Sequence, residues 1–378
     1  MLNKKNFLLR LLDNKAIVSI LVVLLGFIVG TILVILVGKD PANMYKAIWY
    51  SIVGKVNSRG VWNTRYIGET LAFSIPFILC GLSMAFAARV GLFNIGGEGQ
   101  YIIGMTAAQT AALFLPQFPG QWIVCLLCAI IAGSIWGGIV GFFKAKYSVS
   151  EVVATIMMNY IALYVSRLIC FTHPGATTYK TEALGELSLI PKFLIKSSSL
   201  NYGLFFAIFS VIIFYIVMEK TKLGFSLRAT GFNKEASRCS GISVVKSIFI
   251  SMAFAGAFAG LAGGIVLLGG SFQSGRIISG MDNYGFNGIA VALVGNNTAI
   301  GTLLAGILFG ILKQAQSLMQ GMNIPKEITF IIQGLIVVFI ALRSAVEIYK
   351  QYMNKKALQV EVTKKWVIFY LWFQLSWW

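Results

Sequence analysis

Ten apolar runs separated by short polar connections make up most of the chain. A helix of about 20 apolar residues crosses the roughly 30 Å hydrocarbon core of a bilayer, and most of the runs reach or approach that length. The pattern predicts an all-α polytopic membrane protein with about ten transmembrane helices, some short or interrupted. The runs occupy residues 16–38, 67–89, 95–116, 121–143, 152–171, 203–218, 247–269, 284–297, 299–316 and 328–345.

The first run has two interpretations, because the basic residues Lys4, Lys5, Arg10 and Lys15 precede it, as in a secretory signal peptide. The apolar stretch is longer than the usual signal-peptide core of about 7–15 residues, and no cleavage motif of small residues follows it. We favour an uncleaved transmembrane helix.

Composition points to a lipid environment. Hydrophobic residues make up 57% of the chain and charged residues 12%, compared with roughly 45–50% and about 25% in soluble domains. The formal net charge of +18 would suggest nucleic acid in a soluble protein. Here the basic residues lie mainly in the short connections, where anionic lipid and the positive-inside rule favour them. We therefore predict the lipid bilayer, and no nucleic acid, as a partner.

The distribution of basic residues also predicts topology. Residues 17–345 form one transmembrane domain, between an N-terminal segment, 1–16, and a C-terminal tail, 346–378. The connection 219–246 is the most basic and is placed in the cytoplasm together with the N-terminus. The connection 172–202 then lies outside. The connection 39–66 conflicts with this topology, since it is basic yet falls outside.

Catalytic and metal-binding motifs are sparse. Cys125 and Cys128 form a C-x-x-C, but the chain has one histidine, His173, and no second cysteine pair. We interpret the two cysteines as packing residues and predict no metal site. The sequence contains no phosphate-binding G-x-x-x-x-G-K-[ST] loop and no hydrolase motif. The chain is expected not to be an enzyme, so any ATP that drives it would bind another chain.

Glycines recur at four-residue spacing inside several runs. Such ridges let helix backbones approach closely in a membrane, where lipid offers no hydrophobic drive for helices to associate. They predict a compact helical bundle and say nothing about its cargo. The ridges comprise Gly133, Gly137 and Gly141; Gly256, Gly260 and Gly264; and Gly306 with Gly310.

A short motif in the 219–246 connection resembles the E-A-A-x-x-x-G signature of permeases of ATP-binding cassette importers. A short helix stopped by a glycine could dock into a groove of an ATPase, with basic side chains against acidic ones. The alternative is an ordinary basic loop with one helical turn. The predicted coupling residues are Lys234, Glu235, Ala236, Ser237, Arg238 and Gly241, with Ser237 where the signature usually has alanine.

Further stretches resemble the permease family of simple sugar and nucleoside importers, related to ribose and branched-chain amino acid permeases. They are residues 91–100, 150–160, 255–264 and 285–293, and Asp40-Pro41 with Tyr45. The chain looks most like the larger of the two permeases in nucleoside importers. That resemblance implies a plasma-membrane heterodimer with a second permease, an ATPase that binds ATP and Mg, and an extracytoplasmic lipoprotein receptor. This chain would hold no cofactor. The C-terminal residues 366–378 are rich in aromatic side chains, whereas members of the family usually end in polar residues.

The run 95–116 carries the strongest candidates for a translocation pathway. Gly96, Gly97 and Gly99 weaken a helix there, and an interrupted helix is tolerated only where protein or a water-filled cavity surrounds it. Glu98 is either functional or paired with Arg89, since a buried carboxylate is costly. The other polar candidates are Asn94, Gln100, Thr155, Asn159 and Asn287.

The mechanism predicted from the resemblance is alternating access, driven by ATP in the partner chains. The alternative is a secondary transporter driven by an ion gradient, in which Glu69, Glu98 and Asp282 would couple the ion. No clear inverted repeat supports that alternative.

Overall fold

The structure, a computed structural model, describes residues 15–340 except 57–59, 196 and 271–273. Residues 1–14 of the predicted N-terminal segment, the end of the last apolar run and the aromatic tail lie outside the described residues.

Helices dominate the described chain, with short strands only in the connections. The helices are α1 (Lys15–Leu36), α2 (Pro41–Val53), α3 (Arg65–Ala88), α4 (Gly97–Phe114), α5 (Gln121–Tyr147), α6 (Glu151–Phe171), α7 (Gly203–Tyr215, continued by a π turn, Ile216–Lys220), α8 (Lys222–Phe232), α9 (Lys234–Cys239), α10 (Val244–Leu268), α11 (Tyr284–Val294), α12 (Ala299–Gln320) and α13 (Glu327–Ile340). Strand β1 (Lys55–Val56) pairs with β2 (Trp62–Asn63), and β3 (Lys180–Ala183) pairs with β4 (Ser274–Arg276), both antiparallel.

Seven of the described helices are long and apolar enough to cross a membrane: α1, α3, α5, α6, α7 with its π turn, α10 and α12. The all-α polytopic class is therefore confirmed. The runs predicted at 95–116, 284–297 and 328–345 also form helices, but α4, α11 and α13 are not among the seven. The predicted count of ten is not confirmed.

Helix α2 lies in the connection 39–66, where the apolar pattern predicted no helix. Its start is defined locally, because Pro41 occupies the first turn and Asp40 accepts a hydrogen bond from the backbone N of Ala42 at 2.8 Å. Its buried face packs towards α3 and α12. The capping aspartate and the proline are signals that the sequence carries and that apolar length alone does not detect.

Helix α10 lies at the centre of the bundle, against α3, α4 and α5. The predicted glycine ridges meet here: Gly256 and Gly260 lie against Gly133 of α5, and Gly260 also faces Gly104 of α4. A Cβ atom on any of these residues would crowd the backbone of the facing helix. The prediction of close helix packing is confirmed.

Helices α11 and α12 form a helical hairpin beside α3. The ring of Tyr284 at the start of α11 lies 5.2 Å from that of Phe77, and Gly288 packs against Cys80. Helix α11 therefore runs in the same direction as α3.

The chain reverses after α11. Residues 296–297 adopt left-handed backbone conformations, with φ of 52° and 53°. Helix α12 then runs antiparallel to α3, with Gly306 against Ile78 and Gly310 against Ser74. The short apolar run predicted at 284–297 is thus one arm of a hairpin, stabilised by its contacts with α3 rather than by its length.

Candidate translocation site and coupling helix

Glu98 ties the start of α4 to the start of α11. Its fully buried carboxylate accepts hydrogen bonds from the backbone N of Asn283 at 2.7 Å and of Gly285 at 2.6 Å. These are unsatisfied donors of the first turn of α11, where a negative charge is favourable. The glycines before Glu98 mark the N-terminus of α4 rather than a break inside a longer helix.

The alternative ion pair between Glu98 and Arg89 is wrong. Arg89 lies just after the end of α3, where it pairs with Glu219 of the π turn. Arg228 of α8 pairs with the second oxygen of Glu219 at 2.6 Å. The backbone amides of α11 supply the partners of Glu98, and no sequence spacing would have shown this.

The other polar candidates near Glu98 bind one another. The side-chain amide of Asn94 donates to Gln100 Oε1 at 2.9 Å and to Ser83 Oγ at 3.1 Å. The backbone N of Gly99 donates to Asn159 Oδ1 at 2.8 Å, and Asn159 Nδ2 donates to the carbonyl of Ile95 at 3.1 Å. This buried network connects α3, α4 and α6.

Small residues allow the network to close. A Cβ atom on Gly96 would lie 3.1 Å from Cβ of Thr155, and Gly97 packs against Gly285. Thr155 Oγ1 donates to the carbonyl of Glu151 at 2.7 Å, within its own helix. Asn287 is half-buried and, among the described residues, its side chain makes no hydrogen bond. In this conformation the network is closed to a solute, so a pathway role for these residues stays a prediction.

A cavity of about 410 Å³ lies beside this network, between α3, α10, α12 and the connections that contain Ser199 and Asp282. None of the predicted pathway residues lines it. Its lining combines apolar and aromatic side chains, including Phe73, Pro76 and Ile265, with polar ones: Ser199, Asn201, Arg276, Asp282, Tyr284 and Lys313. Most of these residues were not predicted from the sequence. Lys313 was detectable as a lone cation inside an apolar run.

Of the three described charged side chains at the cavity, two form an ion pair with each other and the third, Lys313, does not. Arg276 and Asp282 form a bidentate pair with two N–O distances of 2.9 Å, and Tyr101 donates its hydroxyl to Asp282 at 3.0 Å. Burial opposes the charge of Arg276, but the hydrogen bonds and charge of Asp282 raise its pKa above the usual arginine value. Lys313 Nζ lies 5.9 Å from the ring centroid of Phe330, and within the described residues no carboxylate is close enough to pair with it.

The predicted coupling motif forms helix α9 at the end of the basic connection. Asn233 caps its first turn, accepting from the backbone N of Ala236 at 3.0 Å, and Gly241 follows it with φ of 79°. A short helix stopped by a glycine is what the sequence predicted. Ser237 is buried towards the bundle, so the position needs a small side chain, which explains why serine can stand in place of alanine.

The other side chains of α9 point outward. The side chain of Glu235 is 77% exposed, and its neighbour Arg238 is 67% exposed, with an N–O distance of 3.3 Å between them. Phe232, at the end of α8, is 92% exposed. An exposed helix with an aromatic side chain next to it is typical of a protein–protein contact.

A bundle of membrane-crossing helices, with a buried polar network, a cavity and an exposed short helix between α8 and α10, defines the class of transport permeases. Residues 66–341 match the family of permease components of branched-chain amino acid transport systems. The chain belongs to this family and is a permease subunit of an ATP-binding cassette importer.

Curated relatives cover nearly the whole chain. It is 37% identical to the guanosine ABC transporter permease protein NupP of Bacillus subtilis over 91% of this chain and 98% of that protein. It is 35% identical to the nucleoside ABC transporter permease protein NupB of Lactococcus lactis over 93% and 97%. It is also 30% identical to a second Bacillus subtilis guanosine permease, NupQ, over 67% and 81%. No solved structure matches the chain.

Proposed function

We propose that this chain is the larger permease of a nucleoside importer in the plasma membrane, with its N-terminus in the cytoplasm. The observation that carries the proposal is the exposed helix α9, which has the residues and the geometry of an ATPase-docking element. The solute is inferred from the relatives, of which NupP is named for guanosine and NupB for nucleosides.

The subunit composition follows from the same relatives. NupP and NupQ are both named as guanosine permeases of Bacillus subtilis, and this chain is similar to both. We therefore expect a second permease beside this one. An ATPase would bind ATP and Mg, and a lipoprotein receptor would deliver the solute. This chain contributes the path through the membrane and the contact with the ATPase.

The fold offers a direct route from α9 to the pathway. Helix α9 is followed within a few residues by α10, which packs against α3, α4 and α5. On its other side, α8 is tied to α3 and the π turn through the ion pairs of Glu219 with Arg89 and Arg228. A push on α9 by the ATPase would thus reach the helices that hold the buried network, which is how we expect the permease to alternate between its two open states.

The structure gives no support to the rival ion-driven transporter. Each of its three candidate carboxylates already has partners: Glu98 binds backbone amides, Asp282 binds Arg276, and Glu69 accepts from Ser199 N at 3.1 Å. A coupling carboxylate has to bind and release its ion through the cycle, whereas these three serve to join neighbouring segments.

Glu235→Arg is expected to reduce association with the ATPase at least tenfold. The side chain is exposed and contacts only Arg238 among the described residues, so the substitution leaves the fold intact but reverses a charge at the proposed contact. Co-purification of the ATPase with the permease from detergent measures the effect.

Glu182→Arg is the matched control, since Glu182 is exposed in the 172–202 connection, away from α9. Equal ATPase recovery with both variants would contradict the proposed docking role of α9.

A further inference from the structure

The cavity combines two kinds of wall that a single small solute would contact together. Phe73 of α3 and Tyr284 of α11 provide aromatic rings, and Pro76, Ile265 and other apolar side chains complete that wall. The second wall is charged and consists of the Arg276–Asp282 pair and Lys313. Pockets of about 300–1,000 Å³ with apolar walls and few polar groups are typical small-molecule sites, and the volume of about 410 Å³ falls in this range.

Lys313 is the charged group at this cavity that forms no ion pair or hydrogen bond with any other described residue. It lies within the membrane-crossing helix α12, half-buried, and its ammonium lies near the ring of Phe330. The charge of Asp282 acts on it across the cavity, but the two form no ion pair. A charge inside a membrane helix is costly unless it faces a partner or a water-filled space, and such charges usually mark a solute path. An ammonium has donors and no acceptor, so it selects a ligand atom with a lone pair.

We propose that this cavity is the solute-binding site of the permease and that it binds a nucleoside in preference to a free sugar. The aromatic wall of Phe73 and Tyr284 contacts the flat face of the base, and Lys313 donates to a carbonyl or ring nitrogen of the base. Asp282, which keeps acceptor capacity beyond its bonds to Arg276 and Tyr101, accepts from a ribose hydroxyl. The inference rests on the proposed function, since it concerns the solute of the same importer.

A free pentose would find only part of this site. It can hydrogen-bond to Asp282 and, through a hydroxyl oxygen, to Lys313, but it has no π face for the aromatic wall. Base stacking on aromatic side chains tolerates different bases, so the cavity is expected to accept several nucleosides. Those that carry a carbonyl on the base would bind more tightly, because Lys313 is a donor.

Protection of an introduced cysteine tests the site without relying on transport. Ala72 lines the cavity and is half-buried. Of the five cysteines of the chain, only Cys239 is exposed, and Cys239→Ser removes it. Membrane vesicles carrying the permease with its natural partners and Ala72→Cys are treated with a membrane-impermeant maleimide at increasing guanosine or ribose concentrations.

Guanosine is expected to slow the labelling at concentrations at which ribose does not. Lys313→Met should raise the half-protecting guanosine concentration about tenfold, as expected for loss of one charged hydrogen bond. Lys313→Arg, which keeps the charge, should retain protection and shows that the site is still folded. Lys46→Met is the matched control, because Lys46 is exposed in α2 and does not line this cavity, and it should leave the concentration unchanged.

Equal protection by ribose and guanosine would overturn the preference for nucleosides. An unchanged half-protecting concentration in Lys313→Met, or no protection by either solute, would overturn the site. These outcomes are independent of the ATPase-association test, so a failed docking role for Glu235 and a failed solute site can be told apart.

Discussion

Gly260→Leu is expected to abolish the accumulation of folded protein. Gly260 lies where α10 meets α4 and α5, and a Cβ atom there would overlap the carbonyl oxygen of Ala129 and lie 3.0 Å from Cα of Gly133. These are backbone atoms, so no side chain can move aside, and whole helices would have to separate. Overpacking a core typically costs about 1–3 kcal/mol and occasionally more. A membrane bundle depends on such close packing for helix association. We therefore expect the loss of stability to be about 3 kcal/mol or more.

The fraction of monodisperse permease in size-exclusion chromatography after mild detergent extraction measures this effect. Gly334→Leu is the matched control, since a Cβ placed on Gly334 in α13 meets no atom of another helix within 4 Å among the described residues. Similar monodisperse fractions for the two variants would contradict the packing at the centre of the bundle.

Glu98→Gln is expected to loosen the start of α11 and to lower transport more than tenfold. The carboxylate accepts two backbone hydrogen bonds, whereas glutamine of the same size offers one oxygen and turns an NH₂ group towards an N–H donor. Hydrogen bonds to a charged group contribute about 1.5–3 kcal/mol, and an unmet buried donor costs about 1–3 kcal/mol. The hairpin of α11 and α12 would lose its attachment to α4.

Hydrogen exchange of the backbone amides in residues 283–294, followed by mass spectrometry, measures the loosening directly. Faster exchange is expected in Glu98→Gln, and unchanged exchange in Glu186→Gln, because Glu186 is exposed in the 172–202 connection. Unaltered exchange in Glu98→Gln would show that the two hydrogen bonds do not hold α11 in place.

The class of the fold and the coupling helix were accessible from sequence because both depend on local patterns. An apolar run of sufficient length predicts a helix by itself. Residues 233–241 contain a capping asparagine, a short helix and a terminating glycine within one stretch. The helix count was less accessible, because α11 is stabilised by its contacts with α3 and because α2 begins at an Asp-Pro cap rather than in an apolar run.

The contacts of the candidate site were not accessible in the same way. Glu98 stood out as a buried carboxylate, but its partners lie at the start of α11, far along the chain. The cavity brings Phe73, Tyr284 and Lys313 together from three different helices. Lys313 stands out as a lone cation in an apolar run, but Phe73 and Tyr284 look like ordinary aromatic residues in their own segments. Only the packing of α3, α11 and α12 places the three around one space.

The most direct test of the importer is uptake of radiolabelled guanosine into right-side-out membrane vesicles that are loaded with ATP and carry all the subunits. We predict uptake that requires ATP inside, persists when an uncoupler collapses the proton gradient, and is lost with Glu235→Arg. Uptake that continues without ATP and with Glu235→Arg, but stops with the uncoupler, would contradict the ATP-driven importer and assign the chain to ion-coupled transport.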